Sequence, residues 1–327
     1  MTAASQSSMT DTYKQYGHQL SRQIRRFTVL YNPKAGRNAH LSRREQIGKA
    51  VTYAVRSLPD LFSWQFVETL DTDAAIQIAR KSVTAQDSMV VVAGGDDTIS
   101  RVAAVLTGTG TALGIIPCGT LNTIARSIGI HQDLERAVAT ILDNHFASMD
   151  TGTVDGSAFM GSIAYGLDTV IPRPGKLNSS RILSSFRYPY RLVRQVREFV
   201  PTSLKITVDG EVYKGAPLMV TVGIGEYAGN GIKAAPGSTV SAGKLSVCII
   251  DTNTDQFVSR VIPALMSGSH VGMEGVRILK GTTVVLDANS PILARVDGTE
   301  DALRHFEASI LPASLRVAVP YVPESSY

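Results

Sequence analysis

The chain has 327 residues, 44% of them apolar, and a formal charge of +4, enough to bury a large core; the length predicts two domains, and the mild basicity suits an acidic partner such as anionic lipid or nucleotide. Two cysteines in apolar contexts, Cys118 and Cys248, and six scattered histidines exclude a CxxC redox motif and a zinc site of closely spaced ligands, and fit buried thiols in a reducing compartment. No apolar stretch approaches the ~20 residues of a membrane span and the first 26 residues are too polar for a secretory signal, so the expectation is a cytoplasmic protein whose membrane contact is peripheral.

Residues 1–26 form a polar extension, its first 22 residues rich in Ser, Thr and Gln, expected to be flexible. From Phe27 short β-branched runs alternate with helical stretches. FTVLYN reads as a strand, Ser42 to Arg56 as a helix, WQFVETL as a strand, Thr72 to Lys81 as a helix and SMVVVAG as a strand. Ile99 to Leu106 then reads as a helix, ALGIIP as a strand, and Leu121 to Ser127 and Asp133 to Leu142 as helices. This alternation predicts a doubly wound α/β domain over residues 27–149 with a parallel sheet. Beyond Asp150, segments such as SLKITVDGEVYKGAPLMVTVGIG and GVRILKGTTVVLDA are short alternating strands parted by Gly, Asn and Asp turns. They predict a mostly antiparallel β-sandwich over residues 150–307.

Glycine turns directly after parallel strands are where an open α/β sheet holds phosphate, because the next helix presents free N–H groups and a positive dipole. Three occur in order: Asn32-Pro33-Lys34-Ala35-Gly36, Gly94-Gly95-Asp96-Asp97-Thr98 and Cys118-Gly119-Thr120-Leu121-Asn122. Each residue also has a plain structural reading: Gly36 and Gly119 as tight turns, Asn122 as a helix cap and Thr69 as a strand end. Gly108, Gly110 and Gly114 imitate a dinucleotide fingerprint but follow a helix, and are read as a helix-to-strand loop.

Taken together, NPKAG, GGDDT and IIPCGTLNTIAR resemble, in order and spacing, the diacylglycerol kinase catalytic family, which includes sphingosine and ceramide kinases and bacterial lipid kinases. The similarity continues through MDTGTV, SIAYGLDTV, APGSTVSAGKLSV, ARVDGTE and LPASLRVAVP, so it runs from Phe27 to Pro320. It implies transfer of the γ-phosphate of ATP to a lipid hydroxyl with Mg²⁺, a nucleotide-binding α/β domain, and a β-sandwich that helps form the lipid site. It also implies that the final segment, 308–322, returns to the first domain. On the matching positions, Asn32, Gly36, Thr69, Gly94, Gly95, Asp96, Asp97, Thr98, Gly119, Thr120 and Asn122 line the nucleotide cleft, with Asp96 organising phosphate and metal. Asp297 falls where the family carries a carboxylate proposed to take the acceptor proton, although Asp-Gly is equally a hairpin signal, as it is read at Asp155 and Asp209. Asp168, in GLDTV, either approaches the lipid headgroup or ends a strand.

Three departures from the family pattern stand out. Asp97 occupies a position usually held by glycine. A left-handed backbone there suits Asp better than most residues, but its charge must turn outward or share the metal. Ala242-Gly243 replaces an Asp-Gly, so a structural Mg²⁺ site of bacterial members is expected to be absent or rebuilt. The usual Asp-Gly-Glu is Asp297-Gly298-Thr299, with Glu300 one place late. These departures leave room for a non-catalytic lipid or nucleotide sensor. A soluble-substrate enzyme of the NAD kinase kind shares the GGDDT-like turn, but CGTLNTIAR favours the lipid branch.

Between Arg173 and Lys205 eight Lys or Arg face one Glu. Pro189 opens a predicted helix with Leu192, Val193, Val196, Phe199 and Val200 on one face and Arg191, Arg194 and Arg197 on the rest. Such a helix either lies on anionic lipid or packs its stripe on the β domain. Nucleic acid is not among the expected partners, and a homodimer is left open.

Overall fold

The computed structural model describes residues 26–32, 45–50, 52, 63–143, 145–170, 194, 196–228 and 231–320. The chain divides into two compact units, Met1–Met149 with Ser314–Tyr327, and Asp150–Ala313. Of the expected elements, the polar extension up to residue 25, Gly36, and the stretch from Pro189 to Val193 lie outside the described residues.

In the first unit, β1 (Arg26–Tyr31), β2 (Ser63–Glu68), β3 (Met89–Gly94) and β4 (Ala112–Pro117) form a parallel sheet in the order β2-β1-β3-β4. Every residue of β3 and β4 is buried, as expected of central strands covered on both faces. The described helices are 45–50, α1 (Thr72–Thr84), α2 (Asp96–Leu106), α3 (Thr123–Ser127) and α4 (Leu134–Leu142). Asp71 and Asp133 cap α1 and α4 by accepting from the N–H groups of Ala74 and Arg136. The core joins Phe27, Val29 and Tyr31 of β1 to Met89, Val91, Ile116, Val138 and Ile141.

The second unit is antiparallel. β7 (Ser162–Gly166), β10 (Met219–Gly223), β11 (Leu245–Ile250) and β12 (Val276–Gly281) continue from β13 (Thr283–Val296), which pairs with β14 (Thr299–Ala318). The hairpins β5–β6 (Phe146–Val154, Ser157–Phe159) and β8–β9 (Leu204–Val208, Glu211–Gly215) complete it. The three Asp-Gly pairs turn three of its hairpins: Asp155, Asp209 and Asp297 have φ of 48°, 45° and 44°, each followed by a glycine of positive φ. Two successive left-handed residues are what a two-residue hairpin demands, and Asp and Gly tolerate them best.

The return of the chain begins at Ser314, inside the single long strand β14, whose Val317 pairs in parallel with Leu113 of β4. Ala313, the residue before it, has φ 49°, a conformation unusual for alanine. Its N–H is held by Asp150, whose other carboxylate oxygen accepts from the N–H of Gly243. Asp150 thus ties down the segment where Ala242 departs from the family pattern.

Within the basic stretch, residues 196–198 are helical and the helix ends before Phe199. Val196 is completely buried in an apolar cluster with Leu167, Phe257 and Leu265, and Phe199 sits edge-on to Tyr165. Packing therefore accounts for these two stripe positions, whereas Val200 is 83% exposed. Arg194 pairs with Glu198 one turn on, and Arg197 lies 3.6 Å from Asp255. Among the described residues no helix is long and apolar enough to cross a membrane.

Candidate active site

The turns that follow β1, β3 and β4 belong to the first unit, and the second and third of them meet backbone to backbone. A Cβ built on Gly119 would lie 2.8 Å from the Cα of Gly95 and 2.7 Å from Oδ1 of Asn122, closer than side-chain carbons come to other atoms. Gly119 must therefore be bare for the turns to touch, whereas a Cβ on Gly95 would make an ordinary contact at 3.4 Å. Gly119 donates its N–H to Asn122 Oδ1 at 2.8 Å, while Asn122 Nδ2 donates to Gln132. Asn122 is left-handed, with φ 48°, and its side chain makes no cap bond to α3. The cap expected of it comes instead from Asp96, which accepts from the N–H of Ile124 at 3.0 Å.

Asp96 and Asp97 lie further inside a helix than the sequence pattern suggests. Helix α2 starts at Asp96, with Gly95 as its N-cap, three residues before the predicted start at Ile99. Two carboxylates in the first turn are favoured by the helix dipole, which explains how the chain carries them without a neighbouring cation. Arg101, the nearest cation in sequence, pairs instead with Asp73 of α1. Asp97 has a helical backbone, so the glycine usual at this position is not needed for a left-handed turn here. Its carboxylate accepts from the Thr72 hydroxyl at 3.4 Å, which draws its charge toward the start of α1.

The remaining candidates fall around this pair of turns. Asn32 is buried at the end of β1 and donates from Nδ2 to the Thr98 hydroxyl at 3.3 Å. Thr98 is buried, with the Thr72 hydroxyl 3.5 Å away. Thr69 uses both its N–H and its hydroxyl on the carbonyl of Tyr31, which fits the strand-end reading of that residue. Thr120 is exposed. Gly94 ends β3, and its carbonyl accepts from the N–H of Cys118, joining the two turns a second time. Sequence reasoning passed over Thr72 and Gln132. Thr72 looks like an ordinary first residue of a helix, and Gln132 is brought to Asn122 only by the fold.

In the second unit Asp297 is half-buried, and its carboxylate accepts from three successive N–H groups: Met160 at 2.8 Å, Gly161 at 2.9 Å and Ser162 at 3.0 Å. A Cβ on Gly161 would lie 2.6 Å from Asp297 Oδ1, so glycine is what lets the carboxylate seat there. Asp209 is similarly anchored on Thr282 and Thr283, and Asp155 on the N–H of Glu307. Those two are exposed, which sets them apart from Asp297. Asp168 belongs to the short helix α5 (Leu167–Val170); its side chain lies outside the described residues.

A family model described as the diacylglycerol kinase catalytic domain matches residues 26–154, and the YegS C-terminal NAD kinase beta sandwich-like domain matches residues 161–319. The chain belongs to the diacylglycerol kinase catalytic family. It is a lipid kinase, a phosphotransferase that uses ATP. A diacylglycerol kinase of Bacillus subtilis is 25% identical over 311 residues, covering 91% of this chain and 97% of the relative. A probable YegS-like lipid kinase of Citrobacter koseri is 29% identical over 240 residues, covering 71% of this chain and 78% of its own. Among solved structures, a putative diacylglycerol kinase of Bacillus anthracis superposes with a TM-score of 0.74 at 21% identity, over 91% of this chain and 98% of that one, and so shares the fold.

Proposed function

We propose that the chain transfers the γ-phosphate of ATP to a hydroxyl of a lipid, with diacylglycerol, a sphingoid base or ceramide as the acceptor class. The observation that carries this reading is the contact of the two glycine turns at the ends of β3 and β4, bridged by the Asp96 carboxylate. Phosphoryl transfer needs positioning and charge neutralisation more than covalent chemistry from the protein. The N–H groups of Gly94 and Gly95 and the Thr98 hydroxyl are the proposed phosphate donors, with Asn32, Thr69, Gly119, Thr120 and Asn122 shaping the cleft and Gly36 contributing from outside the described residues.

The donor set fits Mg²⁺. Magnesium bound with a nucleotide takes one or two carboxylates beside the phosphates and water, and Asp96 at the start of α2 is a donor of that kind, while the Asp97 carboxylate is turned to the Thr72 hydroxyl. Asp96 is the proposed holder, with Asp97 beside it; when bound, the ion neutralises phosphate charge. Asp297 is the proposed base for the acceptor hydroxyl, its carboxylate fixed by the N–H groups of residues 160–162. Asp168 is the proposed contact with the lipid headgroup. The excess of cations from Arg173 to Lys205, with exposed Val200 at its end, supports peripheral contact with an anionic bilayer.

The test is transfer of labelled γ-phosphate from ATP into a lipid extract in mixed micelles, with Asp297→Asn and Asp96→Asn beside the wild type. A labelled lipid formed by the wild type and lost in both variants is the expected result. Label entering NAD without lipid, or no loss in either variant, would overturn the reading.

A further inference from the structure

We propose that Arg295 is a positioning residue for the acceptor half of the reaction, locking the Asp297 hairpin to the short helix that carries Asp168. This rests on Asp297 being the base. Arg295 stands on β13 two residues before Asp297, and its side chain is only 13% exposed although it carries a charge. A guanidinium so placed needs acceptors, and Glu300 and the Thr169 carbonyl are among those it reaches. Its Nε donates to Glu300 Oε1 at 3.0 Å across the hairpin, where the two residues are directly paired, and its Nη2 donates to the carbonyl of Thr169.

These bonds close a ring of fixed points. The N–H groups of Gly161 and Ser162 hold the Asp297 carboxylate at the start of β7, and β7 then runs beside β13 with Ala164 opposite Arg295. At its far end Gly166, with φ 76°, turns the chain so tightly that a Cβ there would lie 2.3 Å from the Leu218 carbonyl. That turn starts α5, which runs from Leu167 to Val170. Arg295 donates to a carbonyl within α5, that of Thr169, the residue after Asp168. One side chain thereby sets the distance between the turn bearing Asp297 and the turn bearing Asp168. Glu300, one place later than the family pattern, is directly opposite Arg295 and holds the fork in the orientation that reaches Thr169.

The experiment measures kcat and KM for ATP and for a micellar lipid acceptor, with melting temperature, in Arg295→Ala, Arg295→Lys, Asp297→Asn and the Arg295→Ala/Asp297→Asn double variant. A misplacement of this kind costs roughly 10- to 100-fold in kcat. The expected result for Arg295→Ala is such a fall, an ATP KM within about twofold of wild type, and no further loss when it is added to Asp297→Asn. Arg295→Lys keeps the charge but cannot fork to both acceptors, so its kcat is expected to lie between wild type and Arg295→Ala. Wild-type kcat in Arg295→Ala beside an inactive Asp297→Asn would overturn the positioning role and leave the base assignment standing. An equal fold-loss on the Asp297→Asn background would overturn it too. Wild-type kcat in Asp297→Asn would remove the base reading and this inference with it. If Arg295→Ala does not fold, Arg295→Lys decides: a folded variant with wild-type kcat overturns the role, and reduced kcat at unchanged ATP KM supports it.

Discussion

The first unit seats Asp96 on an ordinary helical backbone and creates its surroundings by removing side chains, since Gly95 and Gly119 approach so closely that their bare backbones touch. The second seats Asp297 on a left-handed turn and creates its surroundings by adding donors, three N–H groups from residues 160–162. At Gly119 the absent Cβ makes room for the backbone of Gly95 and the side chain of Asn122, so two turns proposed to hold phosphate can pack against each other. Three successive N–H donors instead fix the Asp297 carboxylate in one pose, which is the positioning that its proposed role as base would use.

Substitutions that add one carbon to each place test that contrast most directly. In Gly161→Ala the new Cβ would lie 2.6 Å from Asp297 Oδ1 and displace the carboxylate from its donors. Its kcat with lipid is expected to fall about 100-fold while the KM for ATP stays close to wild type. Gly119→Ala pushes its Cβ against the backbone of Gly95 at 2.8 Å. Overpacking of that kind costs about 1–3 kcal/mol and should raise the KM for ATP sharply, read by nucleotide titration and by denaturant unfolding. Gly95→Ala places its Cβ at 3.4 Å from Gly119, an ordinary contact, so its effect on ATP binding should be several-fold smaller than that of Gly119→Ala. An ATP defect in Gly161→Ala, or equal defects in the two glycine variants of the first unit, would break the comparison.

Those glycine positions also mark how far the sequence could be read. The strands of the first unit were legible because β-branched runs stop at glycine turns, and the hairpins of the second because Asp-Gly is a two-residue turn wherever it flanks alternating strands. The start of α2 was misplaced because Asp-Asp-Thr reads as loop, although acidic residues are also what a helix N-terminus favours. No local signal announced that Asp96 would cap α3, 28 residues away, or that Arg295 would reach Thr169, because those partners are chosen by sheet pairing and not by neighbours in the chain. The arginine-flanked apolar stripe showed the opposite failing, since one pattern served for packing and for lipid contact alike. Burial of Val196 settles that position for packing.

The smallest expected effects are on stability, and there one carboxylate in each unit, Asp143 and Asp209, should respond to pH with opposite sign. Asp143 ends α4, and burial pushes its pKa from 3.8 up to about 6 despite the opposing pull of His145. Its negative charge also faces the unfavourable end of the helix dipole. A raised carboxyl contributes stability that is fully present below its unfolded pKa and is lost as pH rises through about 6. Asp209 is the reverse case: the N–H groups of Thr282 and Thr283 hold its pKa below the ordinary carboxylate value, so its contribution is present at neutral pH and disappears as the solution is acidified. Asp143→Asn should therefore melt higher than wild type at pH 7, with the gain fading toward pH 4. Asp209→Asn, whose side chain tolerates the left-handed turn, should melt lower at pH 7, with the deficit shrinking in acid. Melting curves of both variants across this range would show difference profiles of opposite slope; parallel profiles would mean that neither carboxylate titrates as its surroundings dictate.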